Sequence, residues 1–347
     1  MRLKPQHSFV YITLTGMLLF LLYPAETADG VHAAMGLCFN ILLPTLFPIS
    51  VCTGCLMRLG AAELAGKQLG ARLGALFGCS GVGFLPICLG FLGGYPLGAL
   101  VLSELYQTGR LSRREALYCS ALCNHAGPGF LIGALGGKLL GSPARGLALI
   151  SIQILSAWLV SLLMRQKSGL RARKLTGGPK LGSVPMSEAL PEALETGALA
   201  MLRLTATVAF FGALTACLER MLPLAQLPQL AQAALVGALE LSNGVSKLIG
   251  AGAEGAFILA AALTAWGGLC VHFQAFYALS AVGLPSRPYL VGMALQTIVS
   301  GSLAGVAVGF LNRPVQTVLL LALTLPAIVI FLRLFEKTHW KSGQPVL

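Results

Sequence analysis

A polytopic, all-helical membrane bundle is the fold class this sequence predicts, on three observations. The chain is 56% hydrophobic and only 10% charged, with a mean hydropathy of +0.80, whereas soluble domains carry about 25% charged residues. The apolar residues gather into runs, about eight to ten in all, of the length that crosses a bilayer as a helix. The basic residues, which give a net charge of +12, sit in short loops between those runs, as positive-inside topology requires. That placement points to topology and anionic membrane lipid, with no nucleic acid as partner.

The first apolar run, 9–23, follows Arg2 and Lys4. It resembles a signal peptide, but a second long apolar run follows at once, so a retained first helix is predicted. Residues 24–30 carry Glu26 and Asp29 and no base, and read as an outer loop; 1–30 is thus an N-terminal helix with its loop. Residues 31–57 return to an inner loop marked by Arg58, Lys67 and Arg72. The next run, 73–102, is rich in glycine, holds Pro86 and Pro96, and is followed by Arg110, Arg113 and Arg114. Basic residues flank it on both sides, so both of its ends belong on one face. A re-entrant hairpin satisfies the charges and the helix breakers together, provided protein or a wet cavity satisfies its backbone. Residues 116–141 then cross outward with a break at Gly127-Pro128-Gly129, and 146–164 return, completing a first repeat over 31–164.

Residues 165–195 form a basic linker with Arg165, Lys167, Arg171, Arg173, Lys174 and Lys180. Glu188, Glu192 and Glu195 close it as a short amphipathic surface helix. The second repeat, 196–311, has the same order: a span at 196–218, a short glycine-bearing run at 231–252 that reads as a hairpin from the opposite face, and a span at 257–282 broken at Gly267-Gly268. A helix at 288–311 and a last one at 315–334, within a C-terminal segment 312–347, complete the chain. Span, hairpin and broken span in each half, with opposite orientations, are the pattern of two inverted repeats with discontinuous helices at mid-membrane.

Polar groups concentrate at the breaks: Gly94-Tyr95-Pro96, Asn124-His125 with Gly127-Pro128, Glu240 with Ser242-Asn243-Gly244, and Gly267-Gly268 with His272 and Gln274. Unwound backbone frees N–H groups for an anion and carbonyls for a cation. Singly, such motifs are explained by helix packing. Four of them, alternating between hairpin and following span, predict a shared central site for a small-molecule substrate. Arg203 and Lys138, near segment ends, read as snorkelling. Nine cysteines lie almost wholly in apolar runs, and Cys52/Cys55 has no second pair at matching spacing, so neither a metal site nor a disulfide framework is expected. No cofactor is implied. Gly78-Cys79-Ser80-Gly81 resembles the serine motif of rhomboid intramembrane proteases, which would need His125 or His272 as its base. The match is short in a chain with 42 glycines, and no enzyme is expected.

These motifs, with Leu43-Pro44-Thr45-Leu46-Phe47-Pro48, resemble the YlbJ (SpoVV) family of sporulation integral membrane proteins over about residues 35–305. The chain departs from that pattern at His125, where a small hydroxyl residue is usual, and at Gly129, where a bulkier apolar residue is. The resemblance implies nucleoside-recognition gate domains similar to concentrative nucleoside transporters. It implies transport of dipicolinic acid across the outer forespore membrane during sporulation. A coupling proton or sodium ion would accompany this anionic substrate, with a homo-oligomer left open. Tyr95 or Phe273 is a candidate to pack on the substrate ring. A nucleoside or other metabolite carrier, or a non-transporting assembly factor for spore formation, are the alternatives.

Overall fold

A computed structural model describes residues 5–60, 70–164 and 184–312. Lys67, the basic residues of 165–180 and the final helix at 315–334 lie outside these. The described chain is helical, without strands, and five helices are long and apolar enough to cross a membrane. It is a multi-pass, helical membrane protein.

α1 (Pro5–Leu22) is apolar and largely exposed. Next come α2 (Pro24–Leu37), a π-helical turn (Cys38–Leu42) and α3 (Leu43–Arg58), which form one rod of 35 residues. The outer loop predicted at 24–30 is therefore helix. Pro24 presets the backbone of a first helical turn, and Glu26 in that turn suits the helix dipole. Buried Gly30 and Ala34 then pack the rod against α10 (Met186–Met221). α10 has 36 residues and runs without interruption through position 195, so Glu188, Glu192 and Glu195 belong to the start of this span and form no separate surface helix. It is antiparallel to the rod. Arg58 pairs with Glu192 at 2.7 Å at one end, and Arg220 with Glu26 at 3.3 Å at the other. Exposed pairs of this kind contribute about 0–1 kcal/mol; the apolar seam of Ala34, Cys38, Leu204, Val208 and Phe211 does more to hold the contact.

The run 73–102 becomes α4 (Gly70–Phe77), α5 (Gly81–Gly93) and α6 (Leu97–Gln107). α5 and α6, of 13 and 11 residues, pack on each other around Gly94-Tyr95-Pro96. At ~1.5 Å per residue they reach about 20 and 17 Å, short of a ~30 Å hydrocarbon core. Ser80 caps α5, its Oγ accepting from Gly83 N at 3.0 Å, while its own N–H donates to buried Glu115 at 2.7 Å.

α7 (Arg113–Ser120) ends early, and residues 121–127 carry no helix before Pro128 and α8 (Gly129–Leu139), wound as a π-helix. The break thus covers seven positions ahead of Pro128 and is not confined to the Gly127-Pro128-Gly129 triplet. α9 (Pro143–Met164) returns. After α10 come α11 (Gln229–Leu239), α12 (Leu241–Ser246), α13 (Ala253–Trp266), α14 (Gly268–Ala281) and α15 (Arg287–Asn312). Glu240 separates α11 from α12. Gly267, at φ 85°, separates α13 from α14, a conformation that only glycine adopts without strain. A long helix, a helix pair, a broken helix and another long helix therefore follow one another twice. One core joins the α5/α6 pair to α14 and α15 through Ile87, Leu102, Leu122, Leu279 and Met293. A second joins α8, α12, α13 and α15 through Leu131, Leu135, Val245, Ala260 and Ala304.

Candidate functional site

The tip of each helix pair meets the break of the helix that follows it. In the first half, Gly94 abuts Gly127. Deeper in, Gly90 and Gly98 close on the Cys123 carbonyl, which a Cβ on either glycine would overlap. In the second half, Gly268 lies against Gly237, Leu239 and Leu241. Tyr95 of the first tip reaches Gly267 of the second break, which brings the halves together.

A cavity of about 300 Å³ occupies this junction. Gly94, Tyr95, Gly127, Pro128, Glu240, Ser242 and Gln274 line it. Glu240 is 4% exposed, and its two carboxylate oxygens accept from Ser242 N at 3.1 Å and Asn243 N at 2.7 Å, capping α12. Among the described residues, the Tyr95 hydroxyl and Gln274 Oε1 are buried without a partner. The Gln274 amide nitrogen donates to the Cys270 sulfur at 3.6 Å. The rest of the wall is mostly apolar, and among the described residues no Lys, Arg or His lines it.

The other predicted residues stand behind the cavity. Pro96 starts α6 and is buried. Asn124 Nδ2 donates to the Tyr289 hydroxyl at 3.0 Å, and the same hydroxyl meets His272 Nδ1 at 2.9 Å. The two residues are joined through α15, and neither lines the wall. His125 stacks on Phe91 with ring centroids 3.7 Å apart and contacts the Leu122 carbonyl through Nε2 at 2.6 Å. A carbonyl only accepts, so that nitrogen carries a proton. Asn243 turns to α10, donating to Thr215 at 3.1 Å, and Gly244 packs on Gly237. Phe273 is 55% exposed, against Phe211 and Phe276, and is not available to a ring in the cavity. Ser80 Oγ accepts from Gly83 N, and among the described residues no histidine bonds to it.

Several contributors carry no signal in the motifs. Two residues of the break at 121–127 are held by glutamines from two long helices. Gln296 donates to the Ala121 carbonyl at 2.8 Å. Gln153, in the amide orientation that satisfies both of its atoms, accepts from Ala126 N at 2.9 Å and donates to its carbonyl at 3.3 Å. Unwound backbone in a membrane requires such partners. Ile49, Leu204, Val208 and Cys270 line the wall but read in sequence as ordinary span residues; Thr45 and Leu46, which also line it, lie inside the Leu43–Pro48 run. No family model, curated protein or solved structure matches the chain.

Proposed function

We propose that this protein is a membrane transporter of a small organic solute, bound where the two helix-pair tips meet the two breaks. The observation that carries the reading is the shared cavity, lined from both halves and furnished with the unpartnered Tyr95 hydroxyl and Gln274 carbonyl. A buried polar atom without a partner costs about 1–3 kcal/mol, a cost that is relieved when either side chain turns toward a solute or water in the cavity. In this reading α5/α6 and α11/α12 are re-entrant hairpins entering from opposite faces, and the two runs of elements are inverted repeats. The shortness of these helices supports it, since none reaches across the hydrocarbon alone.

The substrate class follows from charge. The resemblance to the sporulation family makes dipicolinate the first candidate, and with it the outer forespore membrane as the site of action. A dianion beside Glu240, with no base among the described residues of the wall, is repelled unless protons or a cation enter with it. The proposal is therefore co-transport: Glu240 holds a proton or a sodium ion while Tyr95, Ser242, Gln274 and the start of α8 hold the solute. The mostly apolar wall, with Glu240 as its one acid among the described residues, also supports a second reading, a neutral nucleoside carried on the same groups. A passive assembly factor has less support, because its motifs would pack solidly where this protein keeps a cavity.

Uptake of labelled dipicolinate into proteoliposomes, with and without a proton or sodium gradient and with uridine as competitor, tests the proposal. Gradient-dependent uptake resistant to uridine supports the anion reading. Uridine uptake without dipicolinate uptake supports the second. Neither solute exceeding protein-free vesicles would sink transport.

A further inference from the structure

Outside the cavity, α10 turns one apolar stripe away from the bundle, with Leu199, Leu202 and Phe210 all exposed. Arg203 sits on the same stripe and is exposed too. α10 begins at Met186, so Arg203 lies midway along its helix and not near its end. Among the described residues no carboxylate reaches it. Its guanidinium carbon instead lies 4.7 Å from the centroid of the Tyr277 ring on α14.

Depth can be judged from the other end of α10. Arg220, paired there with Glu26, is about 25 Å away along the helix at ~1.5 Å per residue. With that pair at one membrane boundary, Arg203 sits just inside the opposite boundary of a ~30 Å core. A cation facing lipid is costly there unless its head reaches the interface and meets an anion. Tyr277 shares this level, where tyrosine rings favour the headgroup region. Deeper in, exposed Phe273 on α14 and Phe210 on α10 continue the face as apolar surface.

We propose that this face of α10 and α14 binds an anionic phospholipid of the leaflet on the Met186 side, its phosphate held by Arg203 and its acyl chain along Phe273 and Phe210. The guanidinium fork matches phosphate oxygens, and the aromatic surface below suits a hydrocarbon tail, so one amphiphile satisfies both parts. A second copy of this chain fits less well. The exposed described carboxylates lie toward helix ends, and Glu115 and Glu240 are buried, so a partner copy has none to offer at this depth.

Native mass spectrometry of the full chain, released from micelles doped with phosphatidylglycerol or phosphatidylcholine, tests this. The chain is expected to retain phosphatidylglycerol preferentially, by about tenfold for one charge-assisted contact. Arg203→Gln should abolish the preference, Arg203→Lys should keep part of it, and Lys138→Gln, at the exposed end of α8, should leave it intact. Tyr277→Leu gives a second variant, expected to weaken retention without removing a charge. Equal retention of both lipids, or a preference that survives Arg203→Gln, overturns the proposal. So does displacement of the lipid by inorganic phosphate, or a dimer signal lost in Arg203→Gln while lipid retention stays constant.

Discussion

Tyr289→Phe removes one oxygen from the deepest part of the molecule. The hydroxyl holds Asn124 at 3.0 Å and His272 at 2.9 Å. Among the described residues, Asn124 Oδ1 and His272 Nε2 already lack partners, so the variant leaves both side chains with no hydrogen bond there. Interhelical hydrogen bonds in membranes average about 0.6 kcal/mol and reach about 1.7, so two lost bonds alone suggest about 1–3 kcal/mol. Asn124 and His272 are 1% and 0% exposed, and water cannot replace the hydroxyl without opening the core. The orphaning cost of about 1–3 kcal/mol per group therefore applies, and a destabilisation of about 2–3 kcal/mol is expected. Denaturation of the detergent-solubilised full chain measures it. Adding Asn124→Leu and His272→Phe to Tyr289→Phe should recover part of the loss, because apolar groups of similar shape leave nothing unpaired. A loss below about 0.5 kcal/mol, within the range of neutral substitutions, would refute the reasoning. A triple variant no more stable than the single one would do the same.

Glu240→Gln keeps only one acceptor for the two α12 N–H groups and should cost about 1 kcal/mol as a weakened cap, leaving a folded, inserted protein. Transport in proteoliposomes should fall by about tenfold or more, as for an intramembrane acid that holds the coupling ion; normal flux would remove Glu240 from that role. Gly98→Ala pushes a methyl group into the Cys123 carbonyl and should destabilise by about 1–3 kcal/mol or more, whereas Gly16→Ala, in open space, should be neutral in the same denaturation assay. On a cysteine-free background, cysteines at positions 73 and 108 should react with an impermeant reagent from the same side of the membrane, and labelling from opposite sides would dismiss the re-entrant reading of α5/α6.

Much of this architecture is legible in the chain itself. Apolar runs separated by basic loops specify a helical membrane protein, because lipid admits few charges and obliges each backbone group to bond within its own segment. Gly94, Pro96 and Gly267 mark interruptions, since positive φ and missing N–H groups are properties of single residues. The convergence of Tyr95, Glu240 and Gln274 was foreseeable for a similar reason: polar groups inside apolar sequence have few places to go.

Local sequence could not say which polar residues face the cavity and which serve the frame. Asn124 and His272 have the composition of site residues, yet the Tyr289 hydroxyl, on a helix with no motif of its own, claims both. Asn243 is turned away by Thr215, and His125 by Phe91 and the Leu122 carbonyl. The start of α10 likewise depended on packing. Its acidic first turns read as linker until Arg58 of α3 lies alongside Glu192. Hydropathy and breakers belong to single residues and travel with the sequence, whereas a hydrogen-bond partner on another helix, such as Tyr289 for Asn124, exists only once the helices have packed. The cavity wall of Leu46, Val208 and Cys270 was decided at that stage, by which apolar surfaces were left facing one another.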